Sequence, residues 1–286
     1  MPGSNIYNCR QDVYFRLYLA YTEVQVKRTA PANKTRADRS VREKAYLLIQ
    51  QKIARGELAP GSAVSEIPLA QELGSSRTPI REALGQLVAE GLLEQTPNRG
   101  AVVVRLGPQD IIDLYELREA LEVYAVGKVA TRPNTPQDLE RLQAFADQIL
   151  SLREELRGSD REKLDARQMH RFISCDLGFH TLLLRLASNA RILKVVNETR
   201  LLIRIFAIHR HGHDIAALTK IHGQHREILD AVSGKNSTRV MALMSNHIRE
   251  SQQERLAEYD EWEHEASLRE TLPAFFNFHS SPDLPG

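Results

Sequence analysis

The sequence predicts a mainly α protein in two parts. A winged helix-turn-helix domain occupies residues 40–106, and an all-α antiparallel helical bundle occupies 108–258. Three observations carry this reading. Between Val41 and Gly91, apolar residues recur at helical spacing in three segments separated by Gly and Pro. Between Leu92 and Leu106 the period becomes that of strands, around a turn rich in Pro, Asn and Gly. Beyond Gly107-Pro108 only helical periods recur.

Taken in order, residues 1–39 carry few organised signals and read as a flexible N-terminal extension. Val41, Ala45, Leu48, Ile49 and Ile53 line one face of a first helix that stops at Gly56, and Pro60-Gly61 makes a turn. Ser65 is placed to cap a short helix holding Leu69, Ala70 and Leu73, ended by Gly74. Ser76 caps the next, whose inward face is Ile80, Ala83, Leu84, Leu87 and Val88. Two short helices joined by a tight Gly-containing turn make a helix-turn-helix. Leu92–Gln95 and Ala101–Leu106 then form the hairpin, or wing.

In the second part the spacing predicts helices over about 108–131, 135–156, 166–187, 190–210, 214–233 and 236–258. The first has Ile112, Leu117, Ala120, Leu121, Tyr124 and Val129 expected inward. The second opens on a capping box, Thr135 with Asp138. Residues 259–286, with three prolines, read as a C-terminal tail.

Composition narrows the class. The chain has 286 residues, 42% hydrophobic and 26% charged, as in ordinary globular proteins. No apolar run is long enough to span a bilayer, and no signal-peptide core is present. Cys9 and Cys175 cannot make a disulfide framework, so a reducing cytoplasm is expected. The net charge is +1, unevenly spread. Residues 1–106 hold 15 Lys and Arg against 10 Asp and Glu, or +5, which leaves −4 for the remainder. A basic N-terminal part hints at a polyanion-binding module.

The second helix of a helix-turn-helix enters the major groove. Here its start is Ser76-Arg77-Thr78-Pro79, followed by Arg81. Arg77 and Arg81 share a face opposite the apolar stripe, suited to guanine or phosphate, and Thr78 suits a phosphate oxygen. Arg99 and Gly100 lie at the wing tip. The bland alternative is a docking module with solvated arginines.

In the second part, polar residues break the apolar stripes. Asp176 and His180 fall on the inward face of the 166–187 helix, one turn apart. His225 and His247 fall on the inward faces of the last two. A buried carboxylate needs compensation, and one Asp with three His in a bundle core suits a divalent metal. A polar pocket without metal fits the pattern as well. His209, His211 and His213 form a rival cluster at a helix end, and Cys175 reads as a passive thiol.

Two resemblances sharpen this. Pro60-Gly61, Leu69-Ala70, the run Leu73–Leu84, Glu90-Gly91-Leu92 and Arg99-Gly100-Ala101 resemble the N-terminal domain of GntR-type transcriptional regulators. The resemblance implies that Arg77, Thr78, Arg81 and Gly100 contact DNA. Residues about 109–255 resemble the FCD ligand-binding domain of the FadR subfamily, through Leu117–Glu122, Asp176–His180, Ala187-Ser188-Asn189, His225–Leu229 and His247-Ile248. That resemblance implies one ion, zinc or nickel, on Asp176, His180, His225 and His247, with water or a small carboxylate effector beside it. Arg118, Arg204 and Asn246 are the expected effector contacts, with Arg200 a further candidate. The expected protein is a cytoplasmic homodimeric repressor on a pseudo-palindromic duplex operator, not an enzyme. No Asp or Glu is spaced as a general base near the four ligands. A metal-responsive regulator without organic effector, and a metalloenzyme fused to a DNA-binding domain, are the alternatives.

Overall fold

The computed structural model describes residues 36–54, 57–97, 99–206 and 212–271, excepting the side chains of 36–40, 54, 204–206 and 265–271. The expectation for the N-terminal extension therefore lies outside the described residues up to 35. The chain divides into two compact units, one from the N-terminal side up to Arg105 and one from Leu106, and helix 166–186 contributes to both.

In the first unit, α1 (Arg36–Ala54) is followed by β1 (Ala63–Val64), α2 (Glu66–Glu72), α3 (Arg77–Ala89), β2 (Leu93–Thr96) and β3 (Gly100–Val103). Of the positions that the helical period selects, Ala45, Ile49, Ile53, Leu69, Ala70, Ile80, Ala83, Leu84 and Leu87 are buried, closed by Leu92, Leu93 and Val103. Val41, Leu48, Leu73 and Val88 are half-buried, and Tyr46 is buried outside the expected set. Helices α2 and α3 end alike. Ser75 N–H donates to Ala70 and Gly74 N–H to Gln71, while Leu92 N–H donates to Leu87 and Gly91 N–H to Val88. These are Schellman closures, with Gly74 (φ +57°) and Gly91 (φ +73°) in the left-handed conformation they need.

Three details differ from the sequence reading. Strand β1 pairs antiparallel with β3, Ala63 opposite Val102, giving a three-stranded sheet of order β1-β3-β2. Two residues are too few to show a period. Ser65 and Ser76 occupy the N-cap positions, yet neither hydroxyl makes a capping hydrogen bond. The first wing strand is shifted by one residue, to Leu93–Thr96, and the second is shorter than expected, ending at Val103.

The remaining helices are α4 (Pro108–Ala130), α5 (Pro136–Arg157), α6 (Ala166–Leu186), α7 (Ala190–Phe206), α8 (Ile215–Ser233) and α9 (Ser237–Thr271). All lie in the second unit except Ala166–Phe179 of α6 and the last turn of α7 from Arg204. Helix α4 packs along α9, and α5 along α8. Thr135 and Asp138 form the expected capping box, the Asp138 N–H donating to Thr135 Oγ1 at 3.2 Å. Leu142, Ala146, Ile149, Leu152 and Leu156 make α5 a fully buried stripe.

Helix α4 corrects the sequence reading. Leu117 and Tyr124 are 41% and 57% exposed. The buried stripe is Ile111, Tyr115, Arg118, Glu122, Ala125 and Val129. Hydrophobicity misleads here because an Arg and a Glu that compensate each other can occupy the inward face. Helix α9 corrects it too, continuing through residues 259–271 where a tail was expected. Four of those thirteen residues are Glu, a good helix former, and none is Gly or Pro.

Gly91 tests the fold of the first unit. Nothing lies within 4 Å of a Cβ placed on it. Gly91→Ala should therefore cost roughly 1–2 kcal/mol from left-handed strain alone. A urea midpoint lowered by that amount, with unchanged circular dichroism, is the expected result.

Candidate nucleic-acid interface and metal centre

Helix α3 buries Pro79, Ile80, Ala83, Leu84 and Leu87 and turns Ser76, Arg77, Thr78 and Arg81 outward. Arg99 and Gly100 (φ +75°) are exposed at the wing tip. The expected DNA-facing residues thus all lie on the surface of the first unit.

One partner of these arginines escaped the sequence reading. Glu66, the first residue of α2, accepts from Arg81 Nε at 2.8 Å and Nη2 at 2.9 Å, and from Arg77 Nε at 3.0 Å. Hydrogen bonding to Arg81, reinforced by Arg77, holds the Glu66 carboxyl down to about 2. The signal was legible, since Glu66 stands in the helix that supports the recognition helix, but its spacing to Arg77 and Arg81 fits no local rule.

In the helical unit, the rings of His180, His225 and His247 lie with centroids 5.1–5.4 Å apart. All three are buried. Asp176 stands one turn before His180 on α6, and the ligand atoms of these four residues lie within 4.8 Å of one another. The four polar breaks read from the sequence therefore do come together.

The hydrogen bonds around the rings fix their tautomers. His180 Nδ1 lies 2.8 Å from Glu122 Oε2, and His247 Nδ1 lies 2.8 Å from Gln224 Oε1. Gln224 is oriented by its own Nε2, which donates to Glu250 at 2.9 Å. A carboxylate and an amide oxygen can only accept, so both Nδ1 atoms donate. The two Nε2 atoms face each other at 3.2 Å. In neutral imidazoles both would present lone pairs, an arrangement relieved by a cation between them.

Glu122 is the second residue that sequence reasoning missed. It is fully buried and accepts from Arg118 Nε at 2.9 Å and Arg200 Nε at 3.1 Å. Burial pushes its carboxyl up, but Arg200 and Arg118, with His180, outweigh burial and hold it well below the usual carboxylate range. Arg118 also lies over the Tyr115 ring, 4.8 Å from its centroid. Two of the expected effector arginines thus stand beside the histidine centre, held by a carboxylate. The i,i+4 pair Arg118–Glu122 on one stripe was the available clue.

The remaining expectations fare differently. The Arg204 side chain lies outside the described residues. Asn246 is exposed, away from buried His247. His209 and His211 lie outside the described residues, and His213 is buried. Burial pushes the Cys175 thiol up to about 11, which fits the passive role expected of it.

A winged helix ahead of an all-helical domain with a buried polar centre defines a ligand-binding transcriptional regulator class. The chain belongs to the GntR family of bacterial regulatory proteins, in its FadR-like subfamily. Residues 41–103 match the gntR family of bacterial regulatory proteins, and residues 113–250 match the FCD domain. It is 33% identical over 214 residues, 74% of this chain and 83% of the other, to an uncharacterized HTH-type transcriptional regulator in an unstable DNA locus of Streptomyces ambofaciens. It is 32% identical to the Nta operon transcriptional regulator of Aminobacter aminovorans, over 66% of this chain and 82% of that one. Among solved structures, E. coli McbR/YncC shares the fold with a TM-score of 0.62 at 20% identity, covering 77% of this chain and 98% of that chain. The protein is therefore a DNA-binding transcriptional regulator. Among the described residues no helix is long and apolar enough to cross a membrane.

Two outcomes follow from the ion pairs. A carboxyl with a lowered pKa contributes stability that is complete above its unfolded value near 4 and is lost as pH falls through about 2. The Glu66 carboxyl carbon should therefore stay flat by NMR from pH 7 to 4, and should begin to move near pH 4 in Arg81→Ala. Arg200→Leu removes one partner of a buried carboxylate and should cost about 3–5 kcal/mol in urea unfolding.

Proposed function

We propose that this regulator is a homodimeric, cytoplasmic repressor of a pseudo-palindromic operator. We further propose that its DNA affinity is set by a small carboxylate bound at a divalent metal in the helical domain. The ligands are Asp176, His180, His225 and His247, and zinc or nickel suits a set of three imidazoles and one carboxylate. The observation that carries the metal is the pair of Nε2 atoms at 3.2 Å whose rings are both committed to donate through Nδ1. When bound, the ion supplies a Lewis-acidic centre that takes a carboxylate oxygen.

This chain's own residues do the rest. Glu122 and Gln224 hold the two rings in the ligand tautomer, an outer-shell arrangement common to metal sites. Arg118 and Arg200 place positive charge beside them, and with Glu122 leave a net charge of about +1 to attract an anion. Arg77, Thr78, Arg81, Ser76, Arg99 and Gly100 form the DNA-contacting surface. Exposed Leu117 and Tyr124, one heptad apart on α4, support a face covered by a second copy. The effector acts by binding one conformation of the dimer better than another, since only differential affinity shifts a population.

Elemental analysis and melting curves test the metal. The purified protein should carry close to one zinc or nickel ion per chain, and EDTA should lower its melting temperature, because an ion that binds only the folded state adds RT ln(1+[M]/Kd) to stability. His225→Ala should lose most of the ion and the EDTA effect together. A wild type with negligible ion and no EDTA effect overturns the metal. Operator affinity measured with the ion alone, and then with added carboxylic acids, separates an acid sensor from a metal sensor.

Arg77→Ala and Arg81→Ala test the interface. Each should weaken binding by ~1–3 kcal/mol if it reads a base, or evenly on all sequences if it holds phosphate. Unchanged affinity in both variants removes α3 as the reading element.

A further inference from the structure

Arg77 and Arg81 both reach back to one carboxylate. Their side chains are 58% and 65% exposed, whereas that of Glu66 is 20% exposed. Arg81 gives Nε to Oε1 and Nη2 to Oε2. Arg77 gives Nε to the same Oε2 at 3.0 Å, and its Nη2 lies 2.8 Å from that oxygen as an ion pair. In both guanidinium groups the edge nearest the chain is therefore occupied. The outer edge, formed by Nη1 and the remaining Nη2 hydrogen, stays open, and that edge can grip guanine O6 and N7 bidentately. Locally the carboxylate also reduces two positive charges to a net +1.

We propose that Glu66 is a positioning and specificity residue of the DNA interface. It holds the outer edges of Arg77 and Arg81 in fixed directions and suppresses their indiscriminate attachment to phosphate. The inference rests on reading α3 as the element that meets DNA. Two mobile arginines would follow the phosphates of any duplex, since the backbone term is independent of sequence. Two arginines tied to one carboxylate, Arg81 at Nε and Nη2 and Arg77 at Nε, lose rotamer freedom before DNA arrives, so less is lost on forming a directional contact. Glu66 touches no base in this scheme and acts only through the arginines.

The test uses the full chain as wild type, Glu66→Gln, Glu66→Asp and Arg81→Ala. Each is titrated at several KCl concentrations onto two labelled duplexes. One is enriched from a random pool by the wild-type protein, and the other is drawn from the unselected pool. Glu66→Gln should bind the unselected duplex several-fold more tightly, with a salt slope steeper by about one ion. Its preference for the enriched duplex should fall by at least about fivefold, the low end of what one bidentate base contact discriminates. Glu66→Asp keeps the charge but not the reach, so its slope should stay near that of the wild type while its preference falls.

A Glu66→Gln variant that tightens equally on both duplexes overturns the positioning role, because charge removal alone then accounts for it. Unchanged slope and preference overturn it as well, as does wild-type preference in Glu66→Asp. Melting curves exclude misfolding, and a general loss of structure would not tighten binding to unselected DNA. Arg81→Ala separates the two levels. If it binds both duplexes as the wild type does, the reading of α3 fails. If it loses binding while Glu66→Gln matches the wild type, only the role of Glu66 fails.

Discussion

The buried carboxylate of Glu122 holds together the centre of the helical unit. It receives Arg118 from its own helix, Arg200 from α7 and His180 from α6. Burying an ion costs several kcal/mol, and here two guanidinium groups and an imidazole offset that cost. Apolar residues of similar volume would often be as stable, so stability alone does not explain such a group. Its effect is orientation. With the carboxylate on Nδ1, the His180 ring has one tautomer, and Nε2 points at His247.

That constraint explains which parts of the molecule were legible in the sequence. The winged helix was readable because apolar spacing and Gly stops dictate it, and most of the core residues of α1–α3 are ones the period selects. The four polar breaks were readable because each interrupts an otherwise apolar face, and they converge. Helix α4 was misread for the same physical reason. A rule that seeks the most apolar stripe chose Leu117 and Tyr124, whereas the chain buries Arg118 and Glu122, whose charges satisfy each other. Pairwise compensation has no signature in hydropathy. It shows only as opposite charges at i,i+4 whose burial depends on a third partner, Arg200, 78 residues further on.

Strand β1 and the far end of α9 were missed for different reasons. A two-residue strand exists because β3 offers an open edge next to it, a tertiary cause with no local pattern. The end of α9 was taken for a tail on the strength of prolines that begin only at Pro273 in the sequence, whereas residues 259–271 themselves hold none. Local propensity was the better guide there.

In both candidate sites a carboxylate accepts from nitrogen-bearing side chains, but at opposite degrees of burial. Glu122 lies where water is excluded, so exchanging its partners means stranding a charge, and the arrangement is kept as a unit. Glu66 and its arginines lie at the surface, where an ion pair is worth only about 0–1 kcal/mol. Contacts to Arg77 and Arg81 can therefore form and break at little cost, whereas an anion near the histidines meets donors already held in place. The difference suits the two tasks proposed for these sites. A DNA-reading surface must release quickly from wrong sequences, and weak, screened contacts permit that. A ligand centre must present one geometry to a small molecule, and only contacts expensive to break can hold it.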